Sequence, residues 1–260
     1  MPTPHPDPEC LKRSHGTEAP LAWADGPAPQ GGRETVRRIR ALVFDFDGLL
    51  VDTEGPIFAA WQRIYRERGQ ELPRDRWLTI IGTASGPFDP LVDLGQRTGE
   101  QLDREELDDL ERLYYKEATS MQQLLPSVEN YLADARRLGL KMAIASSSGA
   151  TWVMEHLERF GIHEHFDAIV SREDVTRTKP DPELYRMALQ RLSVSPFETI
   201  AFEDSTNGIR AAKAAQLFCV AVPNPLTADL DLSEADLRLT SLEAASLSEL
   251  IGRAEAARTQ

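Results

Sequence analysis

The sequence predicts an α/β fold: a Rossmann-like core on a parallel sheet, with an all-α unit inserted after the first strand. Three observations predict it. Short, almost continuously apolar β-rich runs occur once near residue 40 and four times in the second half of the chain. Segments of helical length separate the later runs, which is the βαβ rhythm of a parallel sheet covered on both faces. One interval, from about Pro56 to Leu124, carries helical patterns only.

The elements follow in chain order. The first 32 residues hold seven of the 17 prolines and four of the 16 glycines, with little apolar periodicity. Such a stretch buries too little surface to offset its ordering entropy, so residues 1–38 read as a disordered Pro/Gly-rich extension. Cys10 and Trp23 fall inside it and read as parts of a solvated tail. The first strand is "RALVFDF". After it, "PIFAAWQRIYRERG" places Ile57, Trp61 and Ile64 on one stripe. "REELDDLERLYYKEATSM" repeats Leu107, Leu110, Leu113 and Tyr114 at helical spacing. Residues 57–123 therefore read as a separate helical unit, and its acidic run "DREELDDLE" as a solvated helix face. The α/β core takes 39–56 and 124–256. Its remaining strands are "KMAIASS", "FDAIVS", "ETIAFED" and "LFCVAVP". Between them lie the helices "GATWVMEHLERFG", "DPELYRMALQRLS" and "STNGIRAAKAAQ".

Composition narrows the function. The chain has 260 residues, 42 of them acidic and 29 basic, for a formal charge of −13. Nucleic acid or an anionic membrane as the main partner would call for a basic face, so both are set aside. A small anionic substrate stays open, because one Lys or Arg can dominate a pocket. The two cysteines, Cys10 and Cys219, lack metal spacing and fit a reduced compartment. No apolar run has the length of a membrane span or of a signal-peptide core, so the expected location is the cytoplasm.

Open parallel sheets bind ligands at the carboxyl ends of their strands. The first strand ends in Asp45-Phe46-Asp47, and residues two apart in an extended segment project to one side. The second ends in Ser146-Ser147-Ser148 at the opening of a helix, where hydroxyls and free N–H groups suit an anion. "FDAIVS" is followed by Lys179, just ahead of a helix. "TIAF" ends in Glu203-Asp204, again opening a helix. Each cluster alone is weak, since caps and turns favour Asp and Ser. Together they supply two carboxylate pairs, a hydroxyl-lined anion site and one ammonium. That is the donor set of Mg²⁺ beside a phosphate.

The motifs "DFDGLLVDTE" (45–54), "ASSS" (145–148), "TKPDPE" (178–183) and "FEDSTNGI" (202–209) resemble, in order and spacing, those of haloacid dehalogenase superfamily phosphatases. The likeness is to the branch with a helical cap, near the β-phosphoglucomutase and phosphoglycolate phosphatase relatives, and covers about residues 39–252. It implies that Asp45 attacks phosphorus to form an aspartyl-phosphate, and that Asp47 protonates the leaving alcohol and then activates water. It implies Mg²⁺ held by the Asp45 carboxylate, the Asp47 backbone carbonyl, Asp204 and, directly or through water, Glu203. Ser146, the Ser147 backbone N–H and Lys179 would bind the phosphoryl oxygens. Asp52 and Glu54 would be hinge or capping residues rather than part of the chemistry.

The expected function is then a Mg²⁺-dependent phosphatase acting on a small phosphorylated metabolite, a sugar phosphate or a short phosphorylated acid. Asp47 argues for phosphoryl chemistry, because the family's dehalogenases lack an acid/base residue there. The alternative is a phosphomutase. Those relatives carry a His at the cap hinge, where this chain has Ile57, and a basic residue after a cap glycine, where "IIGTASGPFDP" offers none. Arg63, Arg66 or Arg97 would have to substitute. A phosphorylated receiver-type regulatory module also pairs acids with a Lys, but it needs neither the helical insert nor an acid two residues after the nucleophile. Monomer and dimer are both open.

Overall fold

The computed structural model describes residues 38–84 and 86–258. The Pro/Gly-rich extension, apart from its last residue, lies outside the described residues. In chain order the elements are β1 (Ala41–Phe44), α1 (Glu54–Glu67), α2 (Arg74–Leu78), α3 (Pro90–Thr98), α4 (Arg104–Ala118) and α5 (Val128–Arg137). They continue with β2 (Lys141–Ala145), α6 (Ala150–Arg159), β3 (Ala168–Val170), α7 (Glu183–Leu192) and β4 (Thr199–Glu203). The last are α8 (Thr206–Ala214), β5 (Phe218–Ala221), β6 (Leu237–Arg238) and α9 (Leu247–Ala257).

Six strands form one sheet in the order β3-β2-β1-β4-β5-β6, and every pairing is parallel. The strands are apolar on both faces because both are covered. Leu42, Phe44, Ile200 and Phe202 point to one side, against Val128 and Leu132 of α5, Val153 and Leu157 of α6, and Leu250 of α9. Ala41, Val43 and Ala201 point to the other, against Leu184, Tyr185 and Ala188 of α7 and Ile209 and Ala212 of α8. The outcome is the expected α/β class, a three-layer α/β/α sandwich. The two-residue strand β6 had no legible sequence pattern.

Helices α1–α4 fall between β1 and β2 and share their own apolar cluster. Phe58, Trp61, Ile64 and Tyr65 of α1 meet Trp77 of α2, Leu94 of α3 and Leu107 of α4 there. Asp89 accepts hydrogen bonds from the Leu91 and Val92 amides to start α3, and Asp103 accepts from the Glu105 and Glu106 amides to start α4. The stripe expected on α4 is narrower than its sequence pattern: Leu107 is buried, whereas Leu113 is 50% exposed. Among the described residues no helix is long and apolar enough to cross a membrane.

Candidate active site

β1 and β4 lie side by side in the middle of the sheet, with Phe44 in register with Phe202. One further ladder bond, Asp45 N–H to the Phe202 carbonyl at 3.0 Å, carries the pairing onto Asp45. That register sets Asp45 beside Glu203 and Asp204. The chain must then turn at once, and Gly48 allows it with φ +75°. A Cβ there would stand 2.5 Å from both the Asp204 carboxylate and the Asn224 amide, so the position excludes any side chain on two counts. Asn224 completes the turn, donating to the Gly48 carbonyl at 3.1 Å and to Asp204 Oδ2 at 2.8 Å.

Lys179 arrives from the loop between β3 and α7. Its Nζ lies 2.5 Å from Asp45 Oδ1 and 2.7 Å from Glu203 Oε1, and all three side chains are buried. Glu183, at the start of α7, fastens that loop by accepting from the Thr176 amide at 3.1 Å and the Arg177 amide at 2.9 Å. Glu203 is saturated by protein donors. The Tyr185 hydroxyl donates to its Oε1 at 2.5 Å, and the Asp204 amide and Ser205 hydroxyl donate to Oε2 at 3.2 and 3.4 Å. Gly208 makes room for this carboxylate, since a Cβ there would fall 2.0 Å from it.

The electrostatics follow from crowding carboxylates away from water. Burial, with Glu203 and Asp47 adding to it, pushes Asp45 from 3.8 up to about 7 in spite of Lys179. Burial, then Asp45 and Glu203, raises Asp204 well above its ordinary value. Burial alone would lower Lys179, but Asp45 and Glu203 outweigh it and hold the ammonium above its usual value. Burial and the charges of Asp47, Asp45 and Asp52 lift Glu54 to about 8.

Asp47 is held by four side-chain donors. Thr53 Oγ1 and Trp152 Nε1 each reach Oδ1 at 2.8 Å, and Ser148 Oγ and Ser146 Oγ reach Oδ2 at 2.7 and 3.3 Å. Ser147 points elsewhere: its hydroxyl donates to the Gly82 carbonyl at 3.0 Å. That contact brings the loop after α2 onto the core. Asn207, in the first turn of α8, donates to the Ile81 carbonyl at 2.9 Å. Asp45, Asp47, Glu54, Ser147 and Ser148 together with Ile80, Gly82 and Arg172 line a cavity of about 160 Å³ at this junction.

All seven sequence-predicted residues, Asp45, Asp47, Ser146, Ser147, Lys179, Glu203 and Asp204, therefore meet at one end of the sheet. Asp52 caps: its Oδ1 accepts from the Gly55 amide at 3.0 Å. Glu54, expected as a hinge or capping residue, opens α1 and also lines the cavity. Trp152, Tyr185, Asn224 and Arg172 were not singled out by the sequence. Tyr185 reads there as one more apolar-face residue of an amphipathic helix.

Asp45, Glu203 and Asp204 each offer a carboxylate oxygen, and those atoms lie within 4.8 Å of one another. The fit to a hard divalent cation rests on Asp204: its Oδ1 is buried without a hydrogen-bond partner, an arrangement that is costly unless a cation completes it. Glu203, its oxygens already taken, is the least available of the three.

The parallel α/β core, with a helical insert after β1, brings acidic pairs together at the ends of two adjacent strands, a donor set for a hard cation. A sequence model of the haloacid dehalogenase-like hydrolases matches residues 42–222, and the chain belongs to that family of enzymes. It is 44% identical over 213 residues to the candidate phosphatase YhcW of Bacillus subtilis, covering 82% of this chain and 96% of that protein. It is 31% identical over 224 residues to hexitol phosphatase B of Escherichia coli K12, covering 84% and 99%. The crystal structure of CbbY from Rhodobacter sphaeroides in complex with phosphate is similar at TM-score 0.66 and 27% identity, covering 82% and 99%.

Proposed function

We propose that this enzyme is a Mg²⁺-dependent phosphatase. It hydrolyses a small phosphate monoester, a sugar phosphate or a short phosphorylated acid, through an aspartyl-phosphate on Asp45. The observation that carries this reading is the buried Lys179–Asp45 contact at 2.5 Å beside the orphaned Asp204 oxygen. A carboxylate used only for structure would not be set between a buried ammonium and a carboxylate oxygen that calls for a cation. The relatives named as phosphatases support the same reading.

Asp45 supplies the nucleophilic oxygen, splitting one hard displacement into two easier ones. Lys179 offsets the charge gathered around it and faces the phosphoryl oxygens, with Ser146 and the Ser147 amide completing the anion site. Asp47 gives its proton to the leaving alcohol and later takes one from the attacking water. Asp45, Asp204 and the Asp47 carbonyl would hold Mg²⁺, which when bound shields nucleophile from phosphate and fixes their orientation. Residues 57–123 act as a cap: the loop through Ile80 and Gly82 closes the cavity, excludes water and contacts the leaving group.

The phosphomutase alternative finds little support in the geometry. Two of the arginines that would have to hold a second phosphate are engaged elsewhere: Arg63 with Glu67 and Glu117, and Arg97 with Asp93. Arg66 donates to the Gln62 carbonyl. Arg172 lines the cavity and pairs with Glu173 at 3.4 Å; it is the side chain there that would meet an acidic group on the substrate, whether a carboxylate or a second phosphate.

The test is phosphate release over a panel of sugar phosphates, phosphorylated acids and nucleotides with Mg²⁺. Release from one class, lost with EDTA and with Asp45→Asn, is the expected result. Faster isomerisation than release, in the presence of a bisphosphate activator, would establish the mutase instead.

A further inference from the structure

We propose that Trp152 is a positioning residue for proton transfer: its indole N–H fixes the Asp47 carboxyl so that the exchangeable proton sits on Oδ2, beside Ser148 and the cavity. The inference rests on the phosphatase reading and adds to it a residue outside the four motifs.

It follows from what each partner can do. Three of the four donors to Asp47 are hydroxyls, which can turn and accept instead. The indole N–H only donates. At 2.8 Å from Oδ1 it keeps that oxygen an acceptor whatever the protonation state of the carboxyl. The proton of the neutral acid is thereby left to Oδ2, whose neighbours Ser146 and Ser148 can reverse their hydrogen bonds to accommodate it. In the first chemical step an Asp45 oxygen forms a bond to phosphorus while the bond from phosphorus to the ester oxygen breaks. The departing oxygen keeps that electron pair and takes the proton from Asp47 Oδ2, leaving a neutral alcohol and an Asp47 carboxylate.

Trp152 is itself held from two sides. Its ring stands 4.3 Å from the His156 ring and 5.1 Å from that of Tyr115, between centroids. His156 Nδ1 bonds the Trp152 carbonyl at 2.8 Å, and a carbonyl can only accept, so Nδ1 carries the hydrogen. In the neutral ring Nε2 then accepts from the Tyr115 hydroxyl at 2.9 Å. Tyr115 belongs to α4, so the helical insert buttresses the indole that orients Asp47.

The experiment compares wild type with Trp152→Phe, and with a chain carrying benzothienylalanine at 152, which keeps the ring shape without the N–H. Each is assayed on 2,4-dinitrophenyl phosphate, whose leaving group needs no proton, and on the alkyl phosphate that wild type turns over fastest. The ratio of kcat/KM for the alkyl over the aryl ester is expected to fall about thirtyfold in both variants, a share of the roughly hundredfold or more that a positioned acid contributes. A ratio within about threefold of wild type overturns the inference even where both esters slow together, because lost packing slows both alike. Wild type that releases phosphate from neither ester overturns the phosphatase reading, and this inference with it.

Discussion

Lys179 and Asp45 meet at 2.5 Å with both side chains buried, and the same ammonium reaches Glu203 at 2.7 Å. One cation thus spans carboxylates from the two central strands. Replacing Lys179 with Met would leave two carboxylates facing each other out of water. Breaking a buried pair from one side costs about 3 kcal/mol or more. Urea unfolding at pH 8 should show a loss of that size, together with near-complete loss of turnover. An unfolding midpoint unchanged from wild type would mean that the ammonium does not hold the acidic cluster together.

The raised carboxyls make the metal-free protein sensitive to pH in a definite direction. Asp45 rises from 3.8 to about 7, Glu54 from 4.5 to about 8, and Asp204 also rises. Over that window the folded state binds more protons than the unfolded one, so stability falls as pH rises. A bound cation removes the penalty. The gain in Tm on adding Mg²⁺ to EDTA-treated protein should be larger at pH 8 than at pH 5, read by thermal unfolding at both. An equal gain at both values would separate the metal from these carboxyls.

Gly82 closes the loop from the helical insert over the cavity. With φ +77°, and with Ser205 Oγ 2.2 Å from where a Cβ would lie, it tolerates no side chain. Gly82→Ala should lift the loop and raise KM about tenfold, the effect of roughly 1.4 kcal/mol of strain. Steady-state kinetics on the best substrate measure this. An unchanged KM would show that the loop does not close on the substrate.

The residues legible in the sequence were those whose chemistry is tied to a strand end. Asp45, Asp47, Ser146, Glu203 and Asp204 stand where apolar runs stop, and polar residues in that place need a reason; Lys179 stands further on, in the loop just ahead of α7. Tyr185, Asn224 and Trp152 gave no such signal. Each acts through a single polar atom whose partner lies far along the chain, and in sequence each passes for a packing or turn residue. Glu54 reads in the sequence as a hinge or capping residue because it follows the turn. What brings it to the cavity is the tight reversal at Gly48, which spacing alone does not reveal. In the same way the pattern on α4 extended the buried stripe to Leu113, because periodicity marks an apolar face but not how much of it finds a partner.

The most direct test of the central claim is to trap the covalent intermediate. Asp47→Asn keeps the nucleophile and removes the base for hydrolysis, so with 2,4-dinitrophenyl phosphate and Mg²⁺ it should accumulate phospho-enzyme. After acid quench and peptide mapping by mass spectrometry, one phosphoryl group is expected on Asp45, removable by hydroxylamine. No adduct, or an adduct on a serine, would contradict the account.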